Sequence, residues 1–273
     1  MRRHPLAQMF LIGLVASVVG VAAVLLLDWF PPQASTTASD VDTLYDVLLI
    51  VSVPIFVLVM TVAIYSVVKF RARPGDKGDG APIHGNTLLE VVWVTIPFLL
   101  VSALAVYGWV VLDDQEEPQP NAMIVNVTGQ QFSWSFQYPG EAGAAPVTSN
   151  ELILPVGQPV DFKIQALDVI HSFWVPAFRL KSDAVPGIET EFRVTPSAEG
   201  NYDVVCAELC GLGHSTMRQT VRIVPPEEFE TWISEEQAAA EEEQSQESGA
   251  PPGEDATTPP AGESEPAPPE AGA

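Results

Sequence analysis

Both cysteines of the 273-residue chain stand in one stretch, Cys206-Ala-Glu-Leu-Cys210-Gly-Leu-Gly-His214-Ser-Thr-Met217. Two thiols, an imidazole and a thioether within a dozen residues form a soft donor set, the kind that suits copper. Gly211 and Gly213 leave the backbone free to take the tight path that a ligand loop needs. On the oxidising side of a membrane the same two thiols also read as a disulfide, and spacing alone leaves that alternative open. A further imidazole has to come from a distant part of the chain. Four histidines exist, and His171, in Asp168-Val-Ile-His171-Ser-Phe-Trp-Val-Pro, is the candidate. His4 and His84 fall on the opposite side of the membrane in the topology derived below. A blue-copper site needs one cysteine. Two cysteines, two histidines and a methionine can hold two copper ions with both sulfurs bridging.

Such donors need a rigid frame, and the sequence around them changes period from helical to two-residue at about Met123. Phe132-Ser-Trp134-Ser-Phe136-Gln-Tyr138 alternates aromatic and polar, as a half-buried strand does. Further strands are predicted at Met123–Thr128, Glu151–Leu154, Val160–Gln165, Thr190–Thr195, Asn201–Val205 and Arg218–Val224. Turn signals separate them, among them Tyr-Pro-Gly-Glu and Val-Pro-Gly. Roughly 100 residues with about seven short strands predict a Greek-key sandwich or barrel over 121–225. After it, the stretch from Pro225 to about Ala240 opens with two prolines, then acidic residues, with Phe229 and Trp232 three apart, which predicts a short amphipathic helix over 226–240.

The frame is tethered to a membrane. Mean hydropathy is +0.19, with 47% hydrophobic residues, and the excess lies in the first 112 positions. Uncharged apolar runs span Pro5–Leu27, Val47–Val68 and Val91–Leu112. Each is long enough for a helix to cross a hydrocarbon core of about 30 Å, where the backbone must satisfy itself. Pro54 and Pro97 kink such helices without ending them. Lys69, Arg71, Arg73 and Lys77 follow the second run, whereas Pro31–Thr43 ahead of it has no basic residue and carries Asp40 and Asp42. The bias places 69–86 in the cytoplasm and everything past about 113 outside, on a multi-pass chain. Residues 1–34 read either as a signal peptide, with small residues from Ala34 to Ala38 resembling a cleavage site, or as a retained helix ahead of the hairpin at 42–112.

The net charge of −23 has two sources. From Ile223 onward there are 14 acidic residues and no Lys or Arg, and 241–273 reads as a disordered acidic, proline-rich tail. Asp113 to Arg222 holds another 14 acids against 6 basic residues. The acidity is that of a solvated surface or of a docking face for a basic partner. It points away from nucleic acid.

The loop CAELCGLGHSTM, the segment DVIHSFWVPAFRLKSDAVPG and the preceding membrane hairpin together resemble subunit II of haem–copper cytochrome c oxidase, in its bacterial type. The likeness covers about residues 40 to 235. It implies a cupredoxin-like Greek-key β-sandwich anchored by a helical hairpin, with a dinuclear copper A centre. By the resemblance Cys206 and Cys210 bridge two coppers and His171 and His214 each bind one. Met217 is a weak ligand to one copper and the Glu208 carbonyl a weak ligand to the other. The Glu208 carboxylate faces magnesium at the border with subunit I, which carries the haem. Asp168 is an outer-shell acceptor or a docking acid. Glu90, in Leu88-Leu-Glu90-Val-Val-Trp93-Val-Thr-Ile-Pro97, is similar to the carboxylate at the mouth of a proton channel into subunit I, and an ionisable group at a membrane boundary is a functional candidate on its own account. Aligned on Gly129-Gln-Gln131, this chain has Phe132 where the family carries the Trp that receives electrons from cytochrome c, with Trp134 the next aromatic on that face. The implied partners are subunits I and III, a cytochrome c or similar donor, and the membrane. Electrons then pass to haem in subunit I, where oxygen is reduced to water and protons are pumped. Two neighbouring functions remain open at this point: a metal-free subunit of quinol-oxidase type, and the copper A subunit of a nitric-oxide-reducing complex.

Overall fold

A computed structural model of the chain describes residues 5–72, 74–75, 78, 80, 82–140 and 144–249. Three helices come first: α1 (Pro5–Leu25), α2 (Ala38–Phe70) and α3 (Thr87–Glu116). All three are long and apolar enough to cross a membrane. At a rise of about 1.5 Å per residue, α2 and α3 reach well past a hydrocarbon core of about 30 Å, because each carries extra turns beyond its apolar run. Asp40 and Asp42 therefore belong to the first turns of α2, not to the loop where the sequence placed them. At Gly20 α1 comes close to α2, since a Cβ there would stand 2.9 Å from the Val53 side chain. Of the basic loop, Arg73 and Lys77 lie outside the described residues.

The head domain is two five-stranded sheets packed face to face. One has the order β3 (Val147–Ser149), β2 (Ser133–Tyr138), β1 (Met123–Gln130), β5 (Val160–Ala166), β8 (Thr190–Val194). The other runs β4 (Leu152–Pro155), β10 (Arg218–Val224), β9 (Gly200–Cys206), β6 (His171–Val175), β7 (Leu180–Ala184). β1 lies parallel to β5 and β10 parallel to β4, while the remaining pairs are antiparallel. The alternation behind the strand expectations is visible as burial: Trp134, Phe136 and Tyr138 of β2 point inward, as do Val160, Phe162 and Ile164 of β5. Phe173 sits at the centre, with the rings of Trp134, Phe162, Phe192 and Phe136 at 5.4, 5.5, 6.0 and 6.2 Å. Such pairs add about 0.5–1.5 kcal/mol each beyond the area they bury.

Three strands went unpredicted. β6 is buried on both faces except at Trp174, so it shows no alternation. β7 is a mostly polar edge, and β3 spans only three residues. The last helix, α4 (Pro226–Gly249), also runs past the predicted stop at 240. Glu and Gln are good helix formers, and the first part of the helix is already anchored. Its Trp232 and Phe229 rings stand 5.1 and 6.2 Å from that of Tyr138. Residues 241–249, read from the sequence as the start of the disordered tail at 241–273, are therefore helical, and the rest of that tail, from 250, lies outside the described residues.

The connector between α1 and α2 is stitched into the head. The Ala34 amide donates to the Ala177 carbonyl at 2.9 Å, and the Ser197 amide to the Ala34 carbonyl at 2.9 Å. Ser35 forms a β-bridge with Pro196. Arg179, whose φ of 64° is unusual outside glycine, grips the same connector. Its guanidinium donates to both Asp42 carboxylate oxygens, at 2.6 and 3.0 Å, and to the Pro31 carbonyl at 2.8 Å. On the other side the Arg193 guanidinium donates to the Glu116 carbonyl, the last residue of α3, at 3.2 Å.

Candidate metal centre

Strand pairing brings the donors together. β6 runs antiparallel to β9 with Phe173 opposite Cys206, which sets His171 beside the end of β9. β9 and β10 are hydrogen-bonded neighbours, and the residues joining them form the cysteine loop. The loop is pinned at its base, where the Cys206 amide donates to the Met217 carbonyl at 3.2 Å and the Ala207 amide to the Ser172 carbonyl at 2.9 Å. A short 3-10 turn, His214–Thr216, then presents His214.

Every donor named from the sequence reaches the same place. Cys206 Sγ and Cys210 Sγ are 3.9 Å apart. A disulfide needs about 2.05 Å, so the two are free thiols, and the disulfide alternative does not describe this chain. His171 Nδ1 stands 3.9 Å from Cys206 Sγ, and His214 Nδ1 3.6 Å from Cys210 Sγ. Met217 Sδ lies 3.8 Å from Cys210 Sγ, and the Glu208 carbonyl 3.2 Å from Cys206 Sγ. The donor atoms of His171, Cys206 and Cys210 all fall within 4.8 Å of one another. His171, Met217 and both cysteines are buried, while His214 is half-buried and Glu208 exposed. Burial and the adjacent Cys206 thiol push the Cys210 thiol up to about 11. A metal taken up here displaces protons from its ligands.

Outer contacts set the imidazole. Asp168 Oδ1 meets His171 Nε2 at 2.9 Å, which leaves Nδ1 for the sulfur side. The other oxygen of Asp168 accepts from the Gln131 amide at 2.7 Å, and Oδ1 also accepts from the Val169 amide at 2.7 Å. Burial opposes the charge on Asp168, but the His171 contact and the two amides outweigh it and hold the carboxyl down at about 2. Gln131 was used in the sequence only as an alignment anchor, yet its side chain reaches the loop and donates to the Cys210 carbonyl at 2.6 Å. No spacing rule marks an amide for such a contact.

The two aromatics differ. Phe132 is 38% exposed and covers the loop glycines: a Cβ on Gly213 would come within 2.5 Å of its ring. Trp134 is fully buried, edge-on to His171 at 5.9 Å. Its indole Nε1 has no hydrogen-bond partner among the described residues. Glu90 stays apart from this cluster. It is exposed in the first turn of α3, which Asn86 caps by accepting from the Leu89 amide at 3.2 Å. The end of α3 that touches the head is the opposite one.

Fold and site together define a membrane-anchored β-sandwich with a cluster of sulfur and imidazole groups that could hold a metal ion. Residues 9–111 match the family described as cytochrome c oxidase subunit II, transmembrane domain, and residues 144–224 its periplasmic domain. The chain belongs to the cytochrome c oxidase subunit II family. It is similar to cytochrome c oxidase subunit 2 of Thermostichus vulcanus, 34% identical with 80% of this chain and 84% of the relative covered. It is also similar to that of Synechocystis sp., 32% identical with 82% and 80% covered. Among solved structures it resembles the periplasmic domain of subunit II of cytochrome oxidase from Bradyrhizobium japonicum, at 29% identity and a TM-score of 0.41, covering 45% of this chain and 98% of that one. All the metal donors lie inside the matched periplasmic segment, whereas Gln131, Phe132 and Trp134 precede it.

Proposed function

We infer that, as a family member, the chain works as the subunit II component of a cytochrome c oxidase, anchored in a membrane beside other oxidase subunits. We propose that His171, Cys206, Cys210, His214 and Met217, with the Glu208 carbonyl, hold a dinuclear copper A centre. The observation that carries this is the convergence of five side-chain donors and one carbonyl on one buried spot. It leaves a metal-free quinol-oxidase-type role without support. When bound, the copper pair supplies a one-electron carrier whose charge is shared over two metals. The β frame's part is to hold the donors still, so that little has to move when an electron arrives.

The other assignments follow the same reading. Phe132, exposed over the loop, is where electrons from a cytochrome c arrive, and Trp134 lies buried edge-on to His171. The acidic outer face attracts a basic carrier. The Glu208 carboxylate, exposed beside the donors, faces a magnesium ion at the border with subunit I, and subunit III completes the complex. The basic loop after α2 lies on the cytoplasmic side of a bacterial plasma membrane, and Glu90 there marks the mouth of a proton channel. Glu90→Gln is expected to slow proton uptake, followed with a pH dye during turnover, and to leave the copper spectrum unchanged.

The test is purification from membranes, then haem and copper analysis and oxygen uptake with reduced cytochrome c. Two coppers in this chain beside a haem-bearing subunit are expected. A purified complex lacking copper in this chain rejects the centre, and nitric oxide reduction without oxygen uptake favours the other complex.

A further inference from the structure

We propose that Gln131 is a positioning residue for the metal centre, a clamp that closes the cysteine loop and ties it to the carboxylate behind His171. This rests on the copper reading above. Gln131 sits in the turn between β1 and β2, in the sheet opposite the one that carries the donors. It makes two contacts in two directions. Its side-chain Nε2 donates to the Cys210 carbonyl at 2.6 Å, and its backbone amide donates to Asp168 Oδ2 at 2.7 Å. Asp168 in turn meets His171 Nε2 at 2.9 Å. One residue thus joins a bridging thiol's backbone to a histidine ligand held on another strand.

The loop is shaped to receive this amide. At Gly211, φ is +133°, and a Cβ would come within 2.8 Å of Gln131 Nε2. The amide occupies the space that a side chain at 211 would need. Phe132 does the same over Gly213. The Gln131–Phe132 turn therefore lies across both loop glycines, and the glycines are required for closeness as well as for backbone freedom. A ligand loop of short, flexible residues gains order from such a contact, and outer contacts of this kind typically change metal affinity about 10–100-fold.

Gln131 is itself exposed, at the rim of the site, so shortening or blunting it leaves the β core intact. The experiment uses the full chain in the purified complex. Gln131→Met keeps the length but removes the donor, Gln131→Asn keeps the amide but falls one methylene short, and Gln130→Met on the neighbouring exposed position is the control. Copper affinity is measured by competition with a chelator, the mixed-valence electron paramagnetic resonance spectrum is recorded, and thermal unfolding is followed without metal. Gln131→Met is expected to bind copper about 10–100-fold more weakly, with an altered hyperfine pattern and an unchanged metal-free unfolding temperature. Gln131→Asn should fall between it and the wild type, and Gln130→Met should match the wild type. Unchanged affinity and spectrum in Gln131→Met overturn the clamp, as does a loss of metal-free stability that accounts for the weaker binding. Absence of the copper pair from the wild type rejects the copper reading itself, a different outcome from either of these.

Discussion

Phe173 in the head has no exposed surface and four aromatic rings around it, while Phe98 on α3 is 68% exposed. The same side chain solves two different problems. In the head, water drives apolar groups inward, so the sheets bury one face each and the residues alternate. Along α1–α3 most apolar groups point outward, and of the described residues there only Ala38 is buried. A membrane supplies the apolar surroundings, and neighbouring subunits cover what lipid does not. The head therefore assembles its donor cluster from its own packing, and the helices provide anchorage and surface.

The sharpest way to break this contrast is at the donors. Cys210→Ser is expected to lower copper affinity by more than the roughly 100-fold cost of losing an outer contact and to abolish the mixed-valence signal, with membrane insertion intact. Retention of a dinuclear spectrum sinks the bridging assignment. Next in size, Phe173→Ala should destabilise the head by about 3–5 kcal/mol in denaturant unfolding. Phe98→Ala should leave head unfolding within experimental error. Equal effects would mean that head and helices fold as one unit. Arg179→Ala removes hydrogen bonds to a charged partner, worth about 1.5–3 kcal/mol. It should appear as faster protease cutting of the connector at 31–37 while the copper spectrum holds.

The smallest effect is set by pH. The Asp168 carboxyl is held at about 2 in the folded chain, below its ordinary 3.8. Its folded form is the better acid, so the stability it contributes is complete above about pH 4 and fades as pH falls toward 2. In metal-free protein, Asp168→Asn should unfold with a shallower acid dependence over that window and match the wild-type slope above it. Parallel acid curves for the two chains contradict the contact with His171.

Much of this architecture was legible beforehand where one physical signal governs. Six strands announced themselves through alternation, because each has one wet face, and a seventh, β4, through a short apolar run bounded by turn residues. The donors announced themselves through chemistry, since thiols, imidazoles and a thioether are rare side chains crowded together. β6 stayed hidden because a strand covered on both sides has no period to read, although it carries His171. The strap at Arg179 stayed hidden too, since it joins residues about 140 positions apart through one backbone carbonyl and one carboxylate. Gln131 belongs with these: its partner is a carbonyl, which every residue has. Sequence shows what a side chain is, and only packing shows which main-chain atom it meets.

The neck between membrane and head has a kinetic side. An electron's jump weakens steeply with each added ångström of gap. By lacing Ala34 and Ser35 into the sandwich edge and gripping Asp42 with Arg179, the chain suppresses rocking between its two halves. On the copper reading proposed above, ties remote from the donors thus hold the height of the head above the bilayer, and with it the distance an electron has to cross.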